Sequence, residues 1–229
     1  MALNEEEFWE VFRSELTATA EDLSRLKARI GPDDKIREYF LHRLMIAVEN
    51  ATGSVLLGRS GLTAPLSAVS RALFESLIVT YWASLSDGNA NEAIATGYRE
   101  LLRIMRNAVT GGRAQIVHKI TGTDESAAVL NHPMMKEARR PKRLEEMAKE
   151  AGLKNVYDTL YGLMSLVAHG TATELHVKAA LDGNPPIYEN MSLVRGCLKA
   201  IALICSNRID GKQTDRADLE AILKIRLAP

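Results

Sequence analysis

The sequence contains little that could stabilise a fold covalently. Only two cysteines, Cys197 and Cys205, occur among its 229 residues. They are eight positions apart in one helical pattern, so their backbones would lie about 12 Å from each other, too far for a disulfide. Both are therefore predicted to be small core residues that stay reduced, which favours a cytoplasmic protein.

An excess of charge of one sign is also lacking, because Lys plus Arg and Asp plus Glu number 29 each. A neutral chain has no long-range attraction for nucleic acid or for an anionic membrane, so either partner would need a local basic patch. This balance argues against nucleic-acid binding without excluding it. The first residues, MALNEEEFWE, are acidic where a signal peptide would be basic and then apolar, so no signal peptide is expected.

Long apolar runs without charge are missing as well. The longest candidate, APLSAVSRALFESLIVTYWASL, has Arg71 and Glu75 near its middle, which predicts a buried helix and no membrane partner. The stretch GSVLLGRS, residues 53–60, resembles a phosphate loop but has Arg59 where lysine is required and follows a helical pattern. No nucleotide or other cofactor is therefore predicted.

Helical periodicity is what the sequence does have, and no segment shows the alternation of a strand. The predicted fold is all-α, an antiparallel helical bundle with additional short helices. Asp33 and Thr214 are expected to be N-caps. A single helical domain over 1–229 is expected, with 1–60 as an alternative N-terminal hairpin that packs on a 63–229 bundle. The predicted helices span 4–30, 33–58, 63–86, 89–121, 124–137, 141–151, 154–169, 190–209 and 214–226.

One of these helices has polar side chains at every fourth position, Tyr157, Tyr161, Ser165 and His169. Four residues advance an α-helix by about 400°, so the four side chains share about a third of its circumference. The rest of the helix is apolar, which predicts that these groups point inward and need hydrogen-bond partners. His169 lies in the last turn before Gly170, where the negative end of the helix dipole should raise its pKa.

The best partners are Arg71 and Glu75, one turn apart on the apolar third helix. A partly buried arginine keeps its charge and needs an acceptor, so we expect the pair to meet Tyr161, Ser165 and His169 between two packed helices. In a functional site, Arg71, Tyr161 and Ser165 would bind a ligand, and His169 or Glu75 would transfer protons as catalytic groups. The alternative is a satisfied polar network that fixes helix register and binds nothing.

These two motifs, Arg-x-x-x-Glu in SRALFES and Tyr-x-x-x-Ser-x-x-x-His in YGLMSLVAHG, occur in this order about ninety residues apart. The pattern resembles a widespread uncharacterised family of bacterial helical proteins over roughly residues 63–170. The resemblance implies an α-helical bundle and no established reaction.

Other motifs suggest different chemistry. Arg37 with His42 and Arg113 with His118 both fit Arg-x4-His, which is similar to the catalytic motif of HEPN ribonucleases, a helical and usually dimeric family that cleaves RNA without metal. HGTATELH, residues 169–176, offers two histidines and a glutamate, but their spacing is not that of a helical metal site, and no metal is predicted.

Three functional classes therefore remain open. The favoured ones are a binding or interaction module that recognises a small anionic group through Arg71, and a structural protein that assembles with copies of itself. The third is an enzyme, namely a metal-independent nuclease that uses His169 with Arg71, or the Arg113 and His118 pair.

Overall fold

The computed structural model describes residues 5–131, 142–161 and 186–224, and within them the chain is helical. The helices are α1 (Glu5–Lys27), α2 (Lys35–Arg59), α3 (Thr63–Ser84), α4 (Asp87–Thr110), α5 (Ser126–Leu130), α6 (Leu144–Glu150), α7 (Lys154–Val156), which continues as a π-helical turn over Tyr157–Tyr161, α8 (Pro186–Ile209) and α9 (Arg216–Leu223). The only β-type pairing in these ranges is an isolated bridge between Val117 and Asp124. The all-α prediction is confirmed. Every helix of the described ranges is too short or too polar to cross a membrane.

The chain divides into two compact units, one formed by 1–90 and 144–229 and the other by 91–143. The prediction of a single domain over 1–229, or of a separate hairpin over 1–60, stays a prediction. In the first unit, α8 packs on α2 and α3, which also pack on each other, while α1 lies against α2 and α8.

Helix α2 runs opposite to the helices around it. The Arg43 side chain of α2 contacts Ser76 and Thr80 of α3. Arg43 precedes the turn at 60–62 by about as many residues as Ser76 and Thr80 follow it, which is the pattern of an antiparallel helix pair. Helix α8 runs in the same direction as α1, since Glu15 meets Arg195 and Arg29 lies 2.7 Å from Asp210. These four helices therefore comprise one helix antiparallel to three others. Their buried apolar side chains include Phe12, Phe40, Leu44, Leu66, Phe74, Trp82, Met191 and Ile204.

Helix α3 carries many polar residues into this core. Ser67, Ser70, Ser76, Thr80 and Ser84 are all buried. Four of them donate their hydroxyl hydrogens to carbonyl oxygens of the preceding turn, Ser67 to Thr63 at 3.0 Å for example, so burial leaves them satisfied. The hydroxyls of Ser76 and Thr80 also accept hydrogen bonds from Arg43 at 2.8 and 3.1 Å, which ties α2 to α3.

Several predicted boundaries are wrong for local reasons. The sequence predicts that helix α4 reaches 121, but it ends at Thr110, because Gly112 adopts φ of +64° and the Arg113 amide donates to the Ala108 carbonyl at 2.8 Å. This is a glycine C-cap, which only a residue tolerant of positive φ forms at low cost. The predicted N-caps are one residue early, since the side chains of Asp34 and Asp215, not those of Asp33 and Thr214, accept the capping bonds.

The two cysteine thiols are free and fully buried in α8. Burial raises the pKa of Cys197 to about 12, and it also raises the pKa of Cys205. Because only the thiolate attacks disulfide reagents, we expect neither thiol of the folded protein to react with Ellman's reagent at pH 8, and both to react once urea unfolds it. Rapid labelling of either thiol under native conditions would contradict the packing of α8.

Candidate functional site

Arg71 and Glu75 lie on the face of α3 that the 144–161 segment covers. The Arg71 Nε donates to Glu75 Oε1 at 2.9 Å, and the side chains are 20% and 37% exposed. Most of the surrounding helix is buried, including Leu73, Phe74, Leu77 and Ile78. The pair is therefore partly desolvated, as the sequence predicts, with the carboxylate on the more exposed side.

Tyr161 completes the contact from the other segment. An Arg71 Nη2–H donates to the Tyr161 hydroxyl, and the Arg71 Cζ lies 4.4 Å from the centre of the Tyr161 ring. One guanidinium thus meets both the oxygen and the face of the same phenol, a cation–π contact combined with a hydrogen bond. This contact joins residues 90 positions apart, and it is the juxtaposition that the two sequence motifs predict.

The stacked tyrosines lie in an irregular turn. Tyr157–Tyr161 is π-helical, whereas the sequence predicts regular α-helix. A π turn is wider than an α turn, with hydrogen bonds from i to i+5. The Tyr157 and Tyr161 ring centres are 4.7 Å apart with their planes at 20°. The Lys154 Nζ lies 5.9 Å from the Tyr157 ring centre, so a cation lies near each tyrosine of the stack.

Burial and the neighbouring charges shift the pKa values of Arg71 and Tyr157. Partial burial alone would lower the pKa of Arg71, but the hydrogen bonds and charges of Glu75 and Tyr161 outweigh it and raise that pKa. The pKa of Tyr157 is raised by burial first, and then by Tyr161 and by the carboxylates of Glu145 and Glu75, against the effect of Lys154. At neutral pH the site therefore contains the Arg71 cation and an un-ionised Tyr157 phenol.

A second contact holds the same segment to α3. The Trp82 Nε1–H donates to Glu150 Oε2 at 2.6 Å, eleven residues along α3 from Arg71. Segment 144–161 thus runs antiparallel to α3, with a polar contact near each end. No sequence motif predicts the Trp82–Glu150 contact, and the one signal for it is that a tryptophan in a buried helix needs a hydrogen-bond acceptor for its N–H.

Two of the five predicted site residues, Ser165 and His169, lie outside the described residues, as do His176 and Glu174 of the discounted metal set. Their roles stay predictions. In the part of the chain that the structure describes, no three His, Cys, Asp or Glu side chains are grouped to hold a metal ion.

Both Arg-x4-His pairs lie within the described residues. Arg37 and His42 lie on α2, where five residues turn the helix by about 500° and leave the side chains about 140° apart. Arg113 is exposed and His118 is half-buried in the segment after α4, and the His118 Nδ1 accepts from the Thr121 amide at 3.2 Å. Neither pair forms a shared polar cluster within one chain.

A family model matches residues 37–184, about two thirds of the chain. The chain belongs to DUF5677, a family of unknown function. No curated protein and no solved structure matches it. The DUF5677 region contains Arg71, Glu75 and Tyr161 together with the undescribed Ser165 and His169, so the whole predicted cluster lies within the family's part of the chain. Helices α1 and α8 lie outside the DUF5677 region.

Proposed function

We propose that this DUF5677 protein is a cytoplasmic binding module whose Arg71 guanidinium recognises a small anionic group. The observation that supports this proposal is the arrangement of partners around Arg71. Tyr161 stacks on Tyr157, while the carboxylate of Glu75 is the more exposed side chain of the ion pair. The guanidinium thus contacts a packed phenol on one side and a more exposed carboxylate on the other.

An incoming anion would replace Glu75. A partly exposed ion pair contributes only about 0–1 kcal/mol, so exchanging one carboxylate for another costs little. Arginine suits this role because its planar fork of N–H donors matches carboxylate and phosphate oxygens. Tyr161 would keep the guanidinium oriented during the exchange, which limits the loss of side-chain entropy on binding.

The predicted roles of the remaining residues follow from this arrangement. Ser165 would add a hydroxyl to the bound anion, and a displaced Glu75 would be the group able to accept a proton, with His169 as its counterpart. These roles concern catalysis or fine recognition and are separate from anion binding by Arg71, so the proposal does not depend on them.

The test is an arginine-to-lysine substitution with a matched control. Arg99 pairs with Glu92 at 2.7 Å, and its side-chain exposures of 20% and 37% equal those of Arg71 and Glu75. By calorimetry with inorganic phosphate and with succinate, we expect the native protein to bind at least one of the two. Arg71→Lys should weaken that binding about tenfold or more, because lysine loses the forked geometry. Arg99→Lys should leave it unchanged.

Two results would count against the proposal. Equal affinities of the Arg71→Lys and native proteins would remove Arg71 from the site. Absence of binding to the native protein, together with a drop in thermal midpoint in Arg71→Lys and not in Arg99→Lys, would assign the cluster to helix register, which is the structural alternative.

A further inference from the structure

A groove of about 500 Å³ lies between α8 and the C-terminal end of α9. This volume is within the range of about 300–1,000 Å³ typical of small-molecule sites. One set of lining residues is apolar and another is basic, and no acidic residue is among them: Leu193, Ile222, Leu223, Arg195, Lys199 and Lys224. The groove lies outside residues 37–184 and shares no residue with the Arg71 cluster.

A glycine keeps the groove open. A Cβ built on Gly196 would lie 3.7 Å from Leu223 Cδ2 and 4.0 Å from the Ile222 carbonyl oxygen, so a longer side chain would project between the two helices. Across from it, α9 ends at Lys224 in the left-handed region, with φ of +54° and its amide donating to the Glu220 carbonyl. This C-cap residue, Lys224, is one of the groove residues.

The basic side chains of the groove outnumber the carboxylates that pair with them. Arg195 donates to both oxygens of Glu15, its Nε at 2.6 Å, and the Lys199 Nζ lies 2.8 Å from Glu15 Oε1. Two cations therefore share one carboxylate. Lys224 makes no ion pair within residues 5–131, 142–161 and 186–224. Lys199 is 44% exposed, which leaves its ammonium accessible to a further acceptor.

We propose that this groove binds an amphipathic carboxylate, with its aliphatic part against Leu193, Ile222 and Leu223 and its head group between Lys199 and Lys224. The apolar walls favour an aliphatic chain because burying each methylene is favourable by itself. The head group is assigned as a carboxylate because Glu15 already shows that Arg195 and Lys199 accommodate one, and the excess of positive charge has room for a second.

The first experiment uses the full chain and three probes in calorimetry below their micelle concentrations. Decanoate should bind saturably with one site per chain. Octanoate, which is two methylenes shorter, should bind about sixteenfold more weakly, since each methylene changes affinity about fourfold. Decanol, which keeps the chain and lacks the charge, should bind at least tenfold more weakly than decanoate.

The second experiment separates the two halves of the groove. Gly196→Leu fills the apolar part, and Lys224→Ala removes one cation without touching the core; each should weaken decanoate binding about tenfold or more. Lys212→Ala, an exposed lysine outside the groove, is the matched control and should bind like the native protein. The thermal midpoint of Gly196→Leu shows whether that variant is folded, and Lys224→Ala tests the site if it is not.

Three results would overturn the proposal: no saturable decanoate binding, equal affinity for decanol, or native-like binding in a folded Gly196→Leu and in Lys224→Ala. Phosphate or succinate binding that depends on Arg71 is measured separately, so the failure of one site leaves the other unaffected.

Discussion

Replacing Trp82 with alanine is expected to lower the free energy of unfolding by about 3–5 kcal/mol. The indole is 1% exposed in α3 and lies where α3 packs on α6. Truncation removes a large apolar surface and leaves a cavity that rigid helices fill only in part. It also removes the Nε1–H that donates to Glu150. Urea titration followed by circular dichroism measures the change without using the fluorescence of the deleted residue.

Trp82→Phe is the control for the two contributions. Phenylalanine keeps much of the ring but has no N–H, so we expect a loss of about 1–2 kcal/mol, near that of one hydrogen bond with slight underpacking. Glu150 is exposed, so its freed oxygen returns to water at little cost. If Trp82→Ala were as stable as Trp82→Phe, the indole would not be packed between α3 and α6 as described.

Two glycines on α2 should respond to substitution with opposite signs. A Cβ on Gly58 would lie 2.8 Å from Trp9 Cη2 and 3.3 Å from Met191 Sδ, where α1 and α8 both approach α2. Gly58→Val is therefore expected to lose about 1–3 kcal/mol through overpacking. Gly53 has nothing within 4 Å of its Cβ position, so Gly53→Ala should gain about 0.5–1 kcal/mol from helix propensity alone.

Parallel urea titrations of Gly58→Val and Gly53→Ala measure the two changes in the free energy of unfolding. They compare the effect of close packing with that of helix propensity in the same helix. Trp9→Phe, which shortens the ring that the new side chain meets, should recover part of the Gly58→Val loss when the two are combined. A Gly58→Val protein as stable as Gly53→Ala would mean that α1 does not lie against α2 at this point.

The fold class and the centre of the candidate site could be predicted from the sequence because both depend on apolar periodicity. A charged pair such as Arg71 and Glu75 inside an apolar helix must find partners, and Tyr161 belonged to the polar row that could supply one. The prediction that the three meet needed no knowledge of the exact packing, only that the two helices are neighbours.

Other features depend on geometry that local patterns do not encode. The π-helical turn at Tyr157–Tyr161 contains one extra residue, and a single extra residue changes the apolar periodicity of the sequence too little to be predicted. Adjacent aspartates such as Asp33 and Asp34 compete for one cap, and the backbone angles decide between them. The hydrogen bonds from Arg43 to Ser76 and Thr80 use neutral acceptors on another helix, so no pattern of charged residues predicts them.

The order of the helices along the chain has a consequence for synthesis. Helix α8, which packs on both α2 and α3, is completed about 125 residues after the end of α3. At about 5–20 residues per second, a ribosome leaves the buried faces of α2 and α3 without this neighbour for roughly 6–25 s. During that interval the nascent protein presents the apolar surface of an unfinished core, which is the kind of surface that chaperones bind.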